Sequence, residues 1–311
     1  MRRLKSLLYA VPALLLFAPG GQWDYARTST PDPRVQIQQI ISAFKGNVAL
    51  AAKNLRTGEL IEINAHQEVQ TASVIKLPIM VEAFYQAREG RTPLDSLLLL
   101  DKENVVQGSG ILQDLSEGLI LPLQDALTLM IVLSDNTATN MVIDSVGLDA
   151  VNSRMKNLGL VHTRLFKKVF LPPPKPSEDQ KKFGLGVTTP AEMLRLLELL
   201  ARGDLVDKAS SEAMISILKK QRDRDQIPRY ISYDNLEGTA RGIQVANKTG
   251  ALDHVRNDVG LVFSPRGTYL MAIFAWNSKD ARWTPDNAAT LTIAELARVL
   301  FEHFENAGAN P

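Results

Sequence analysis

Three apolar runs near the end of the chain, "GIQVANKTGAL" (242–252), "NDVGLVFSP" (257–265) and "TYLMAIFAWN" (268–277), are separated by only a few residues each. Gaps that short leave no room for a crossover helix, so successive runs must pair as antiparallel neighbours. The last two join through Pro265-Arg266-Gly267, a turn signal. Earlier, "NVALAAKNL" and "ELIEINAH" meet at "RTGE", two strand-like runs and a tight turn, hence a hairpin. The sheet is therefore antiparallel, and every other element has to fit around it.

The helical segments lie before, between and after these strands. "TPDPRVQIQQIISAFK" carries Val35, Ile37, Ile40, Ile41 and Phe44 at helical spacing, with proline in the first turn. Helical pattern dominates from about residue 73 to 206. "LPLQDALTLMIVLS" is one helix, and "TTPAEMLRLLELLARG" another. The latter has Thr189 as N-cap, Pro190 at the first position, Glu192 completing a capping box and Gly203 past the end. "AATLTIAELARVLFEHF" closes the chain. The predicted class is α+β in three layers (α/β/α), with about five antiparallel strands flanked by the terminal helices. Residues 31–70 and 207–311 form a sheet lobe, and residues 71–206 an inserted all-helical lobe. With 311 residues, 45% of them hydrophobic, such a chain can bury a sizeable core. The Pro-rich segment "FLPPPKPSEDQKKFG" (170–184) is expected to be a loop without helix or central strand.

Composition removes several function classes. Cysteine is absent, which excludes disulfides, thiolate metal sites, a cysteine nucleophile and a lipoprotein anchor on cysteine. His66, His162, His254 and His303 are scattered, with no pair at metal-ligand spacing, so no metal or cofactor is expected. A Ser-His-Asp triad stays open on composition, but nothing local supports one. A formal net charge of +1 gives no electrostatic case for nucleic acid or an anionic membrane surface. The mixed-charge run "KKQRDRDQIPR" (219–229) reads as a solvated face. "MRRLK" followed by "SLLYAVPALLLFA" has the form of a signal peptide or N-terminal anchor over residues 1–26, implying a periplasmic or secreted protein. Membrane association is expected only if that segment is retained. A monomer is expected.

A nucleophile candidate emerges from "TASVIKLPIM" (71–80), where Ser73 and Lys76 stand three positions apart. Ser42–Lys45, Ser153–Lys156 and Ser216–Lys219 share the spacing, but those serines fall inside amphipathic helices. Ser73 heads its helix, where the N–H groups are free and the positive end of the dipole lies beside its oxygen. Two further tripeptides follow in order: Ser134-Asp135-Asn136 at a helix-to-helix junction, and Lys248-Thr249-Gly250 on a strand. Singly, either reads as a capping cluster or a strand end. All three motifs in one order are hard to assign to coincidence.

The Ser-x-x-Lys, Ser-Asp-Asn and Lys-Thr-Gly set resembles the class A β-lactamases and penicillin-binding proteins, from about residue 35 to the end. "ASVIKLP", "MIVLSDNTATN" and "GLGVTTPAEM" look like the class A branch. The resemblance implies a β-lactamase/transpeptidase-like fold and a serine hydrolase opening β-lactams through a Ser73 acyl-enzyme. It further implies that Lys76 is the base, that Ser134 passes a proton to the departing ring nitrogen, and that Asn136 holds Lys76 and the substrate amide. Lys248 and Thr249 would bind the substrate carboxylate, Gly250 would let substrate approach the strand, and the N–H groups of Ser73 and Ala251 would form an oxyanion hole. Asp135 is read as a brace rather than a substrate contact.

One part of the pattern is missing. Class A enzymes carry a loop glutamate that positions the deacylating water. Matching forward from "HTRL" places it near Val169, and matching backward from "TTP" places it near Pro173; neither is acidic, and Glu178 and Asp179 are the only acids in the loop. Acylation is then expected to be competent and turnover slow. The resemblance leaves three readings: a β-lactamase, a D,D-peptidase-like acyltransferase or esterase acting on peptidoglycan-like peptides, and a β-lactam binder that does not turn over.

Overall fold

The computed structural model describes residues 32–171, 175–231 and 242–307. The first part of the chain runs α1 (Pro33–Ala43), β1 (Asn47–Asn54), β2 (Leu60–Ile63), β3 (Val69–Gln70), a 3-10 turn (Ala72–Ile75) and α2 (Lys76–Arg88). The middle holds β4 (Leu97–Leu99), β5 (Ile120–Pro122), α3 (Leu123–Val132), α4 (Asn136–Val146), α5 (Leu148–Asn157) and β6 (Arg164–Leu165). Then come α6 (Glu178–Phe183), β7 (Gly186–Thr188), α7 (Pro190–Arg202), α8 (Lys208–Lys219), β8 (Gln244–Leu252), β9 (Val255–Ser264), β10 (Gly267–Trp276) and α9 (Ala288–Ala307).

The main sheet has five strands in the order β2-β1-β10-β9-β8, all antiparallel. The expected hairpin and the three consecutive strands are thus joined through β1 and β10, registered from Asn47 opposite Trp276 to Asn54 opposite Tyr269. The period-2 alternation of side chains explains why both strands are apolar throughout. Leu50, Met271 and Ile273 point into a core shared with Ile37 of α1 and Ile293, Leu300 and Phe304 of α9. Ala51, Ala272 and Phe274 point the other way, into a core shared with helices α2, α3, α4 and α7. Helices on both faces make the three layers. Burying a ring such as that of Phe274 contributes about 2–3 kcal/mol, which fixes the strand register, because a slip by one residue would exchange the two cores.

Two local expectations are corrected. Glu192 does not close a capping box: its carboxylate turns outward and accepts from His162 N (2.9 Å) and Thr163 Oγ1 (2.6 Å), while Thr189 Oγ1 alone caps Glu192 N. A stronger pair of donors outside the helix outcompetes the local motif. The 170–184 segment is not free of helix either. Once past Pro176, Ser177 and Gln180 form a reciprocal capping box that starts α6, because proline bars helix only at and before its own position. The 1–26 segment and Pro173 lie outside the described residues. Among the described residues no helix is long and apolar enough to cross a membrane.

Candidate active site

The sheet edge β8 and the 3-10 turn at 72–75 meet at one glycine. A Cβ on Gly250 would stand 2.8 Å from Thr71 O, 3.0 Å from Ser73 N and 3.1 Å from Val74 N. Gly250 is therefore needed for the turn to lie on the strand. The close contact brings Ser73 beside Thr249 and Ala251. Asn257 of β9 ties the same turn down, its Nδ2 donating to Gln70 O (2.8 Å) and Thr71 O (3.1 Å).

Ser134 arrives from the opposite side. Asp135 caps α4 by accepting from Ala138 N (2.8 Å), and its other oxygen accepts from Ile111 N (2.7 Å) and Leu112 N (2.9 Å). The expected brace is observed, and it depends on Gly110, where a Cβ would fall 2.2 Å from the carboxylate. Ser134 itself has φ +54, in left-handed space that a serine enters only when its surroundings force it. Ala72 (φ +45) and Phe170 (φ +52) share that conformation beside the same site. No glycine marks these positions, so the sequence carries no signal of the strain.

Two buried lysine nitrogens converge on the Ser134 hydroxyl. Lys76 Nζ donates to Ser134 Oγ (3.1 Å), Ser134 O (2.6 Å) and Asn136 Oδ1 (2.9 Å). Lys248 Nζ donates to Ser134 Oγ (3.1 Å) and Thr249 O (2.7 Å). Both lysines are fully buried. Burial, and after it the charge of Lys248, pushes the Lys76 ammonium well below its ordinary pKa, against a smaller pull from Asp135. Burial also lowers Lys248, to about 8. Two of the three partners of Lys76, a carbonyl oxygen and an amide oxygen, can only accept. Lys76 therefore keeps two of its N–H bonds on those oxygens whatever its charge state. Among the described residues no hydrogen bond reaches Ser73 Oγ, which is free to meet an electrophile.

These groups face a cleft of about 540 Å³ lined by Ser73, Ser134, Thr249, Gly250 and Ala251. Lys76, Asn136 and Lys248 support its floor from beneath. One wall departs from the sequence expectation. Residues Gln221 to Gln226 line the cleft, with Gln221 and Gln226 nearly buried. The run "KKQRDRDQIPR" is thus not simply a solvated face. Asp258, buried under β8, holds it in place by accepting from Ile227 N and twice from Asn247 Nδ2, all at 3.0 Å. The Gln and Ile flanking the charges are a signal of this, but a run of alternating charge hides it.

At Val169, one of the two positions considered for the loop glutamate, the side chain is apolar and buried. Asn140 on α4 clamps it, accepting from Val169 N (2.8 Å) and donating to Val169 O (3.2 Å). Phe170 packs on Gly108, against which the Asn136 amide also rests. Glu178 and Asp179 are engaged elsewhere, pairing with Lys181 (2.6 Å) and Arg164 (3.0 Å). His254 bonds Ser278 O and His303 bonds Glu59, and no histidine lines the cleft. Among the described residues no group of three or more His, Asp or Glu is placed to hold a metal.

The profile of the beta-lactamase enzyme family matches residues 32–304. A beta-lactamase from Sphaerobacter thermophilus superposes with a TM-score of 0.77 at 30% identity, covering 90% of this chain and 98% of that one. A variant of PBP-A, solved as an acyl-enzyme complex with penicillin G, superposes at 0.75 with 26% identity, over 88% of this chain and 96% of that one. Beta-lactamase CARB-3 of Pseudomonas aeruginosa is 22% identical over 223 residues, 70% of this chain and 73% of its own.

Proposed function

The chain belongs to the β-lactamase enzyme family and is a serine hydrolase acting on β-lactams; from that premise we propose that Ser73 forms the acyl-enzyme and that its release is the slow step. The observation that carries the assignment is the Ser134 hydroxyl held between two buried lysine nitrogens at the mouth of a cleft that also contains Ser73.

The chemistry follows from the bonds. Neutral Lys76 takes the Ser73 proton as Oγ attacks the β-lactam carbonyl carbon. Negative charge builds on the carbonyl oxygen, where the N–H groups of Ser73 and Ala251 receive it, each worth about 3 kcal/mol. The C–N bond breaks, and the nitrogen takes the Ser134 proton, which Lys76 replaces through the bond between them. Charged Lys248 and the Thr249 hydroxyl hold the substrate carboxylate, and Asn136 fixes Lys76. The ester then waits for water. Neither Val169 nor Pro173, the two positions matched to the family's loop glutamate, is acidic, and lacking a base costs deacylation about 10²–10⁴-fold.

A D,D-peptidase-like acyltransferase or esterase is the second reading, favoured by that same apolar loop, since an acyl-enzyme shielded from water is available to another nucleophile. We place the protein outside the cytoplasm, periplasmic or secreted, on the basic and apolar pattern of residues 1–26.

Mixing the purified protein with a chromogenic cephalosporin tests both halves. A burst of about one equivalent followed by slow turnover, with an adduct of intact mass on Ser73, is the expected result. Fast steady turnover without a detectable adduct would refute slow release. Poor reaction with β-lactams but release of D-alanine from a peptide, or cleavage of a thioester, would favour the second reading.

A further inference from the structure

The wall formed by residues 221–226 carries two carboxylates, interleaved with Arg222 and Arg224, in a cleft otherwise built to hold an anion. Asp223 and Asp225 both line it, and among the described residues neither is in an ion pair. Asp223 accepts from Asp225 N (3.2 Å), so the two side chains belong to one short turn. The charges acting on Asp225 are mostly acidic: Asp223 and Asp286 against Arg229. That arginine is already committed, donating to Asp286 Oδ1 and Pro285 O, each at 2.6 Å. Burial first, then Asp223, raises the Asp225 carboxyl above its ordinary range.

An independent observation comes from the next residue. Gln226 is 2% exposed and lines the same cleft, yet its Oε1 has no hydrogen-bond partner. A buried amide oxygen left without a donor costs about 1–3 kcal/mol, so a site that keeps one is waiting for something that donates. Arg256 is spent on the carbonyl oxygens of Leu252, Val255 and Arg282 and lies over the Trp283 ring at 4.8 Å.

We propose that Asp223, Asp225 and Gln226 form a subsite for a cationic nitrogen group of the substrate, an ammonium or guanidinium, next to the carboxylate hook at Lys248 and Thr249. The inference rests on the reading of those two residues as that hook. Asp223 lies close enough to act on the Lys248 charge, so the subsite falls beside the carboxylate rather than beside the acyl side chain. On a cephem, the group that projects there is the substituent on the ring carbon adjacent to the carboxylate-bearing carbon. The preferred substrates are therefore zwitterionic at that end: an anion on Lys248 and Thr249, and a cation on the acidic turn.

The test uses two cephems with the same acylamido side chain, one carrying an aminomethyl group at that ring carbon and the other its neutral N-acetyl derivative. Acylation rates are read as the growth of the adduct by intact mass, on the full chain. The aminomethyl compound should acylate about fivefold faster, the ceiling for a solvent-screened charge pair. In Asp225→Asn the ratio should fall to about one, and in Gln226→Leu it should fall part of the way. Taking the ratio within each protein cancels any loss of folded material. A ratio of one or below in the unaltered protein, or a ratio that survives both substitutions, would overturn the subsite. Labelling by neither compound would retire the Ser73 assignment, and the subsite with it.

Discussion

The floor of the cleft and the loop beside it are built on opposite plans. On the floor, every polar group is engaged: Lys76 has three partners, Lys248 two, and Asn136 bonds both Lys76 and Gln107 O. At residues 169–170 of the loop stand a buried valine and a phenylalanine, and the acids further on pair with Lys181 and Arg164. Buried polar networks demand full satisfaction, so the floor is rigid and specific to one proton path. An apolar pair such as Val169 and Phe170 makes no such demand. On the reading proposed above, the contrast separates the two halves of the reaction: making the ester is preorganised, and breaking it is left without a base.

Three measurements bear on that contrast. The largest effect is expected from Ser73→Ala, which should abolish the β-lactam adduct and lower any hydrolysis by about a millionfold; an adduct that persisted would move the nucleophile elsewhere and dissolve the contrast. Next comes Val169→Glu, which puts a carboxylate at one of the two positions matched to the family's loop glutamate and should speed decay of the adduct about a hundredfold while leaving its formation within severalfold. Unchanged decay would show that the loop is not what limits release. The smallest effect is in pH. The folded pKa of Lys248 is lowered from the ordinary lysine value to about 8 by burial, so its charge is present below that pH and lost above it. Acylation at low substrate should fall as pH rises past about 8, approaching about tenfold per unit. A profile flat to pH 10 would remove Lys248 as the carboxylate hook.

Much of the fold and the site is legible in the amino-acid sequence. The short apolar runs "NVALAAKNL" and "TYLMAIFAWN", bounded by turn signals, place β1 and β10, and the spacing of Ser73 and Lys76 marks the turn where they meet. Local chemistry suffices there, because period and capping depend on near neighbours. Gly110 shows the limit. Its necessity comes from Asp135, which nothing in the neighbouring residues announces. The mixed-charge run at 219–229 misleads for the same reason: Asp258, a residue of another strand, turns it into a cleft wall.

The order of apolar periods and three short motifs were enough to determine an antiparallel sheet between helices, and to single out a serine, lysines and an asparagine that the fold gathers at one cleft. Only the folded chain decided that Ser134 takes a left-handed backbone and receives both lysine nitrogens, that Gly250 serves packing, and that an unpartnered Gln226 faces the cleft beside two carboxylates. Periodicity is set by contacts a few residues apart, whereas burial, desolvation and the charge of a distant strand are set by which segments the fold brings together.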